Sequence, residues 1–402
     1  MKSVVKKVVS LALVAGMALS SVACGNSNTA TTSNSGSATN TTSDALVWKI
    51  GSTGPLTGGA AVYGTNVVNS AKLACDEINA AGGINGYQIE FNGQDDEADA
   101  EKAVNAYNTL KDWGMQLFVG TTTSGACVAT VAKTSADNMF QVTPSASSTD
   151  VVNGNTNVYQ ICFTDPNQGI ASAQYIGENA LATKVAVIYD SSDVYSTGIY
   201  EKFAEEAANQ SFEIVSVGAF TADNKTDFSV QLQDAKNNGA DLVFLPIYYN
   251  EAALILNQAK TLGYDVQFFG CDGLDGILSV ENFDKSLAEG VLLLTPFVAT
   301  STDEKTVAFV EAYKKAYNGE VPNQFGADAY DAVYLLKAMI ESGNLTPDMS
   351  TSDICEALKK EIVKISFDGV TGAAMTWVES GEVSKSPKAM VIKNGEYVPF
   401  EK

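Results

Sequence analysis

Short apolar runs alternate with longer amphipathic segments along most of the chain after residue 45. Short apolar runs bounded by turn residues are typical of buried strands, and the longer segments are typical of helices. The predicted strands are 46–52, 87–92, 116–119, 139–143, 184–189, 213–217, 241–246 and 266–270, and the predicted helices are 63–81, 98–113, 126–136, 167–181, 197–210, 228–238 and 251–262. This alternation predicts βαβ units and parallel sheets.

The alternation pauses near residue 163 and then restarts, so the same pattern occurs twice. The 358 residues from Ala45 to Lys402 are too many for one hydrophobic core and suit two lobes. The end of the chain is mixed, with predicted strands at 290–294, 388–393 and 396–398 and helices at 304–317, 327–342 and 352–360. We therefore expect the end of the chain to contribute to both lobes.

Two turns rich in hydroxyl groups follow two neighbouring predicted strands. They are Gly120-Thr-Thr-Thr-Ser-Gly125 and Pro144-Ser-Ala-Ser-Ser148, and Ser124 is the predicted N-cap of the helix between them. The first N–H groups of a helix attract anions, and ligands of open parallel sheets bind at the carboxyl ends of the strands. The turns therefore predict a binding site for a carboxylate, with ordinary capped βα loops as the alternative.

The start of the chain has the pattern of an export signal. Lys2, Lys6 and Lys7 precede an apolar run at 8–19 that is short for a membrane span. We assign residues 1–23 to a signal peptide. Ser21-Val-Ala-Cys24 resembles the lipobox of bacterial lipoproteins, with Ser21 where leucine is usual, and this resemblance implies acylation of Cys24. Residues 24–44, which are mostly small and polar, are typical of a flexible tether.

Composition excludes several kinds of chemistry. The chain has no histidine, all 25 of its basic residues are lysine, and its net charge is −22. Histidine-dependent catalysis, histidine metal sites and arginine clamps on anions are therefore excluded, and nucleic acid is not an expected partner. No Cys-x-x-Cys pair occurs, so we expect small buried hydrophobic roles and no disulfide framework. The cysteines are Cys24, Cys75, Cys127, Cys162, Cys271 and Cys355.

Several motifs occur in an order that is specific to one family. They are Gly54-Pro-Leu-Thr-Gly58, Tyr63-Gly64, Asp76-Glu-Ile-Asn-Ala-Ala-Gly-Gly-Ile-Asn-Gly86, Asp95-Asp96, Thr143-Pro-Ser-Ala-Ser147, Asn167-Gln168-Gly169, Asp227-Phe228 and Phe367-Asp-Gly-Val-Thr-Gly372. With these motifs, residues 45–402 resemble the branched-chain amino-acid (Leu/Ile/Val) family of periplasmic binding proteins.

The resemblance implies an α/β fold of type I, in which two doubly wound parallel-sheet lobes are joined by three crossovers. We place the crossovers near 163–166, 294–297 and 372–376. Lobe 1 is then 45–164 plus 297–372, and lobe 2 is 165–296 plus 373–402. The ligand of such a protein binds in the cleft between the lobes.

The resemblance also implies a ligand site. Ser124 would take the α-carboxylate, Ser147 would add a second hydroxyl, and Ser145 would offer its carbonyl to the α-ammonium group. Asp272 would meet the ammonium from the other lobe, where the family often has glutamate, and its side chain is one methylene shorter. The cleft would further be lined by Tyr63, Tyr195, Tyr248 and Phe325.

Other interpretations of these residues remain open. Asp272 precedes a glycine, and Asp-Gly is a common turn pair. Tyr248 and Tyr249 suit a hydrophobic core as well as a cleft, and we expect one of them to face the cleft. Asp95-Asp96-Glu97 could form a carboxylate cluster for acid–base work or Ca²⁺, although acids at a helix start are the favoured interpretation.

The implied function is capture of a small amino acid by a monomeric, lipid-anchored, extracytoplasmic protein. Its partners would be the permease subunits of an ABC importer, and neither a cofactor nor a metal is expected. A receptor ectodomain and a binder of another carboxylate or an amide are the alternatives. An enzyme would need a Ser–Lys pair or paired carboxylates, and no Ser-x-x-Lys stands near the expected cleft.

Overall fold

The computed structural model describes residues 46–400, so the predicted signal peptide, Cys24 and tether lie outside the described residues. The first part of the described chain alternates strands and helices as predicted. Its strands are β1 (Trp48–Gly54), β2 (Ile89–Asp95), β3 (Leu117–Val119), β4 (Gln141–Thr143) and β5 (Val158–Gln160), and its helices are α1 (Ala61–Ala80), α2 (Ala100–Asp112) and α3 (Ser124–Ala136).

The second part repeats this pattern with β6 (Lys184–Asp190), β7 (Glu213–Phe220), β8 (Leu242–Leu245), β9 (Gln267–Gly270) and β10 (Leu292–Thr295), and with α4 (Asp165–Glu178), α5 (Val194–Ala207), α6 (Ser229–Asn237) and α7 (Tyr249–Thr261). The end of the chain contains α8 (Glu304–Ala316), α9 (Gln324–Ser342), α10 (Thr351–Ile362), β11 (Lys388–Lys393) and β12 (Glu396–Pro399). No helix within residues 46–400 is both long enough and apolar enough to cross a membrane.

The strands form two separate sheets. One has the order β2-β1-β3-β4-β5 and the other has the order β12-β11-β10-β9-β8-β6-β7. The first is entirely parallel, whereas the hairpin of β11 and β12 joins β10 antiparallel at the edge of the second. Numbered from its own first strand, each parallel part has the doubly wound order 2-1-3-4-5. The predicted fold class is confirmed, and the antiparallel edge and β5 are additions to it.

Burial explains why the strands could be predicted from the sequence. Every residue of β3, β8 and β10 is buried. Strands covered on both faces require apolar side chains on both faces, so they appear as continuous apolar runs. The edge strand β7 instead mixes buried and exposed positions. The five cysteines of the described residues are buried as free thiols.

The segment after α10 still contacts the first sheet beyond residue 376, where the sequence predicted that the crossover ends. The Trp377 indole N–H donates to the Gln160 carbonyl at 2.8 Å, and the Gln160 N–H donates to the Gly381 carbonyl at 2.8 Å. Both contacts extend the edge strand β5. We therefore propose that the third crossover lies at 384–387, after the position at 372–376 predicted from the sequence.

A buried ion pair fixes the chain at this proposed crossover. Lys385 donates to the carboxylate of Asp328 in α9, and each side chain is 1% exposed. The same ammonium donates to the Thr371 hydroxyl at 2.8 Å. Burial raises the pKa of Asp328 to about 6, while the Lys385 charge opposes that rise. The pair therefore joins the end of the chain to α9.

We expect Lys385→Met to lower the free energy of unfolding by about 3–5 kcal/mol at pH 8, because it leaves the Asp328 carboxylate buried without its counter-charge. Without the lysine the folded-state pKa of Asp328 rises further above its unfolded value, so acidification stabilises the variant. Denaturant unfolding at pH 8 and pH 5 measures both effects. Adding Asp328→Asn should recover most of the loss at pH 8, and an equal loss at both pH values would contradict this account.

Candidate functional site

The ends of the central strands bring the predicted site residues together. Strand order reverses between β1 and β3 in the first sheet and between β6 and β8 in the second. Ligands of such sheets bind outside the carboxyl ends of the strands at these reversals. Ser124 follows β3, whereas Tyr195 and Tyr248 follow β6 and β8. The two reversals therefore face each other across one cleft.

A small cavity lies in this cleft, with a volume of about 10 Å³, which is about the room that one water molecule needs. Its walls are Tyr63, Thr122, Thr123, Ser124, Ser145, Tyr195, Tyr248, Asp272, Gly273 and Phe325. Seven of the eight predicted ligand-binding residues are among them. Larger cavities of about 860 and 650 Å³ lie elsewhere and contain none of the eight. The cleft must widen to admit an amino acid.

The start of α3 forms one side of the cavity. Thr123 is the N-cap, and Ser124 is the first residue of the helix, so the prediction that Ser124 caps the helix was wrong. The Ser124 hydroxyl oxygen instead accepts the N–H groups of Ser147 at 3.1 Å and Ser148 at 3.2 Å. Within residues 46–400 the N–H groups of Ser124, Gly125 and Ala126 have no hydrogen-bond partner. These donors can receive an anion.

The loop after β4 supports this side of the cavity. Ser145 lines the cavity, whereas Ser147 does not. The Ser147 carbonyl accepts the Asp165 N–H at 3.0 Å, which joins the loop to the start of α4. The Gln160 amide donates to the carbonyls of Ala146 and Ser148, both at 2.9 Å. Ser147 therefore contacts the cavity-lining Ser124 without lining the cavity itself.

Asp272 supplies a buried carboxyl group from the opposite side. It is 2% exposed, and its Oδ1 accepts the Tyr195 hydroxyl at 2.7 Å. Its N–H donates to Gln168 Oε1 at 3.1 Å. Burial raises the pKa of Asp272 to about 7, although the hydrogen bond from the Tyr195 hydroxyl opposes the rise. Near neutral pH this carboxyl group can therefore gain or lose a proton.

Gly273 makes this arrangement possible. Residues 272–274 form a short 3₁₀ turn, so the turn interpretation of Asp272-Gly273 and the cavity location of Asp272 both hold. The Gly273 N–H donates to the Tyr195 hydroxyl oxygen at 3.0 Å. A Cβ at this residue would lie 2.5 Å from the Ile247 carbonyl oxygen and 2.6 Å from the Tyr195 hydroxyl oxygen. Any larger residue would therefore displace Tyr195 from Asp272.

Aromatic rings fill the space between the two polar sides. The Tyr63 ring centroid lies 4.6 Å from that of Phe325 and 5.5 Å from that of Tyr248, and Tyr195 stacks on Tyr248 at 5.0 Å. The Tyr63 hydroxyl donates to the Gly273 carbonyl, which joins α1 of the first sheet to the turn after β9. Tyr249 packs on the far side of Tyr63 and does not line the cavity. One of the two adjacent tyrosines thus faces the cleft.

Two further buried acids, which sequence reasoning missed, lie at the starts of α4 and α5. Asp165, the first residue of α4, is 1% exposed, and within residues 46–400 its carboxylate oxygens have no hydrogen-bond partner. Burial raises its pKa well above the ordinary range. Asp193 caps α5, and burial raises its pKa to about 6.

The acidic run at Asp95-Asp96-Glu97 has another role. Asp95 accepts the Leu56 N–H at 2.8 Å and the Thr57 hydroxyl at 2.7 Å, and Asp96 accepts the Ala98 N–H at 2.9 Å. The N-cap of α2 is Asp99, so the interpretation of the run as helix-start acids was wrong. Within residues 46–400 no group of three or more cysteine or acidic side chains could hold a metal ion. Asp95 and Asp96 hold loop backbone instead.

Similarity to known proteins agrees with this geometry. A model of the periplasmic binding protein family matches residues 47–395. The Leu/Ile/Val-binding protein BraC3 of Rhizobium johnstonii is 32% identical over 319 residues, which are 78% of this chain and 84% of that protein. A Leu/Ile/Val-binding protein homolog of Brucella melitensis is 29% identical over 360 residues, which are 88% of this chain and 93% of that protein.

Solved structures agree as well. One is the branched-chain amino acid transporter substrate-binding protein LivJ of Streptococcus pneumoniae in complex with isoleucine. It matches with a TM-score of 0.79 at 32% identity, over 87% of this chain and 97% of that chain. The leucine-binding protein LivK of Thermotoga maritima matches with a TM-score of 0.78 at 26% identity, over 88% of this chain and 98% of that chain. The resemblance stated from the sequence is confirmed: the chain belongs to the periplasmic binding protein family, alongside members that are named Leu/Ile/Val-binding proteins.

Proposed function

We propose that this protein is an extracytoplasmic solute-binding protein that captures a small amino acid between its lobes and delivers it to an ABC importer. The observation that carries the proposal is the placement of Ser124 and Asp272 in the walls of one cavity. One side offers helix-start N–H groups to an anion, and the other offers a carboxyl group to a cation. A zwitterionic amino acid has a carboxylate that matches the first side and an ammonium group that matches the second.

The carboxylate end of the ligand would bind at the start of α3. Because the chain has no arginine, no guanidinium group can hold it. The N–H groups of Ser124, Gly125 and Ala126 and the positive end of the helix dipole would take its place. The Ser124 hydroxyl accepts two N–H groups through its oxygen and keeps its own proton for donation. A carboxylate accepts such hydrogen bonds well.

The ammonium end would meet Asp272. The Tyr195 hydroxyl occupies one carboxylate oxygen of Asp272, which leaves the other oxygen for the ligand. Ser145 also lines the cavity, and its carbonyl would serve as a neutral acceptor, as the resemblance implies. Aspartate is one methylene shorter than the glutamate common in the family, so the ammonium must sit deeper or bind through a water.

The other candidate functions have weaker support. The family match is to a binding protein rather than to an enzyme family. A receptor ectodomain would use the same fold, and a ligand without an ammonium group would leave the Asp272 carboxyl group unpaired. The similarity to the LivJ protein solved with isoleucine favours an amino acid as ligand. We therefore propose a monomeric protein that acts with importer permease subunits and needs no cofactor.

Family membership supports a location outside the cytoplasm. We propose further that Cys24 is acylated and anchors the protein to the cell membrane, with residues 24–44 as tether. Cys24→Ser should release the protein from the membrane fraction of the native host, because no acyl chain can then be attached. The variant Ser21→Ala, which keeps the cysteine, is the control. Retention of both variants on the membrane would refute the anchor.

The two ends of the site should respond differently to substitution. Asp272→Asn keeps the shape of the side chain and removes its charge, which leaves the ligand ammonium desolvated and costs roughly 2–5 kcal/mol of binding. Ser124→Ala removes one donor while the backbone N–H groups remain, so about 1.5–3 kcal/mol is expected. Calorimetry with the bound amino acid measures both losses. If Asp272→Asn binds as tightly as wild type, the ligand has no ammonium group at this site.

Ligand affinity should fall as the pH decreases from 8 to 6. Burial raises the pKa of Asp272 to about 7, and an ammonium ligand binds the carboxylate form, so below this pKa a proton must leave before the ligand binds. The affinity then decreases by up to about tenfold per pH unit. Calorimetry in buffers with different ionisation enthalpies should detect one released proton.

The Asp272→Asn variant separates this proton from those of the other buried acids. Asp165, Asp193 and Asp328 also have raised pKa values, through burial. If Asp272 is the acid that releases the proton, the variant should bind weakly, and its affinity should not change between pH 6 and pH 8. A wild-type affinity that increases on acidification would contradict the proposed role of Asp272.

A further inference from the structure

Thr123 carries a buried hydroxyl group that the protein does not use. It is the N-cap of α3, and a threonine at this position usually accepts an N–H group of the first turn. Here its side chain makes no such bond. The residue is 6% exposed, and within residues 46–400 its hydroxyl oxygen has no hydrogen-bond partner. A buried hydroxyl without a partner is unfavourable, so this group requires an explanation.

The neighbouring hydroxyl groups of the same turn all have partners. The Thr121 hydroxyl donates to the Thr123 carbonyl at 3.3 Å, and the Thr122 hydroxyl donates to the Thr53 carbonyl at 3.2 Å. The Ser124 hydroxyl oxygen accepts two N–H groups from the loop after β4. Among these four consecutive side chains, Thr123 alone has no partner. It is also one of the residues that line the cavity.

The position of Thr123 indicates which part of a ligand it would meet. It directly precedes Ser124, where the carboxylate is proposed to bind, and both residues line the same cavity, so a ligand bound at Ser124 would come within reach of Thr123. Tyr63 and Phe325 line the same cavity with their rings 4.6 Å apart, which restricts the room for a long side chain. A short side chain with a polar atom near its base suits this space.

We propose that the protein selects small amino acids with a side-chain hydroxyl, threonine or serine, over aliphatic ones, and that the Thr123 hydroxyl bonds to the hydroxyl of the ligand. This inference rests on the proposed amino-acid function and assigns Thr123 as a specificity-determining residue. L-Threonine and L-valine have nearly the same shape and differ by a hydroxyl in place of a methyl group. Valine would leave the Thr123 hydroxyl buried and unpaired, whereas threonine would give it a partner.

The test is calorimetry with L-threonine and L-valine on wild type, Thr123→Val and Thr123→Ser. Wild type should bind threonine at least about tenfold more tightly than valine. Thr123→Val replaces the hydroxyl by a methyl group of the same shape, so it should reverse the preference. Thr123→Ser keeps the hydroxyl and should keep the preference for threonine. Because the hydroxyl has no protein partner to lose, Thr123→Val without ligand should melt at or above the wild-type temperature.

The outcomes separate this inference from the proposed function. If wild type binds valine as tightly as threonine, or if Thr123→Val leaves the ratio of the two affinities unchanged, the selectivity is refuted while amino-acid binding stands. If wild type binds neither ligand nor any other amino acid in a thermal-shift screen, the proposed function and the inference both fail. A preference for threonine that is lost in Thr123→Val and kept in Thr123→Ser supports both.

Discussion

The hydrogen bond from the Tyr195 hydroxyl to the Asp272 carboxylate is the interaction on which the cavity depends. It orients a buried acid, and the Gly273 N–H donates to the same hydroxyl oxygen. The Gly273 carbonyl in turn accepts the Tyr63 hydroxyl from the other sheet. Acid, turn and opposing helix are therefore joined by three consecutive hydrogen bonds. Gly273 takes part in two of these hydrogen bonds and has no room for a side chain. A larger residue at this position would therefore disturb all three.

The cleft contains no arginine or histidine side chain, because the chain has neither residue. Among the ion pairs of residues 46–400, Lys385–Asp328 is the one with both side chains almost fully buried. The carboxyl groups of Asp165 and Asp272 have no lysine partner there, and burial raises the pKa of each. An ammonium ligand would supply the missing positive charge at Asp272. Binding of such a ligand would be coupled to proton release, because the cation and the proton would compete for the same oxygen atoms.

Much of the fold and part of the site could be predicted from the chain. The strand and helix pattern was correct to within a few residues, because strands buried on both faces are continuous apolar runs. The three-residue strand β5 was missed, since its place at the sheet edge depends on pairing with β4. Asp95 and Asp96 were assigned to a helix start from their sequence position alone, although Asp95 holds a loop that is distant along the chain and Asp96 holds the turn that follows it.

The sequence by itself determined the alternation of strands and helices and the hydroxyl-rich turns, and it excluded arginine and histidine chemistry. Those properties follow from local patterns and from composition. Only the tertiary structure decided that Thr123 rather than Ser124 occupies the N-cap position of α3, that Ser147 does not line the cavity, and that Asp165 and Asp193 are buried at the starts of α4 and α5. These facts depend on which hydroxyl and carboxyl groups find partners from distant segments. Burial and hydrogen bonding of that kind arise only when the two sheets close on each other.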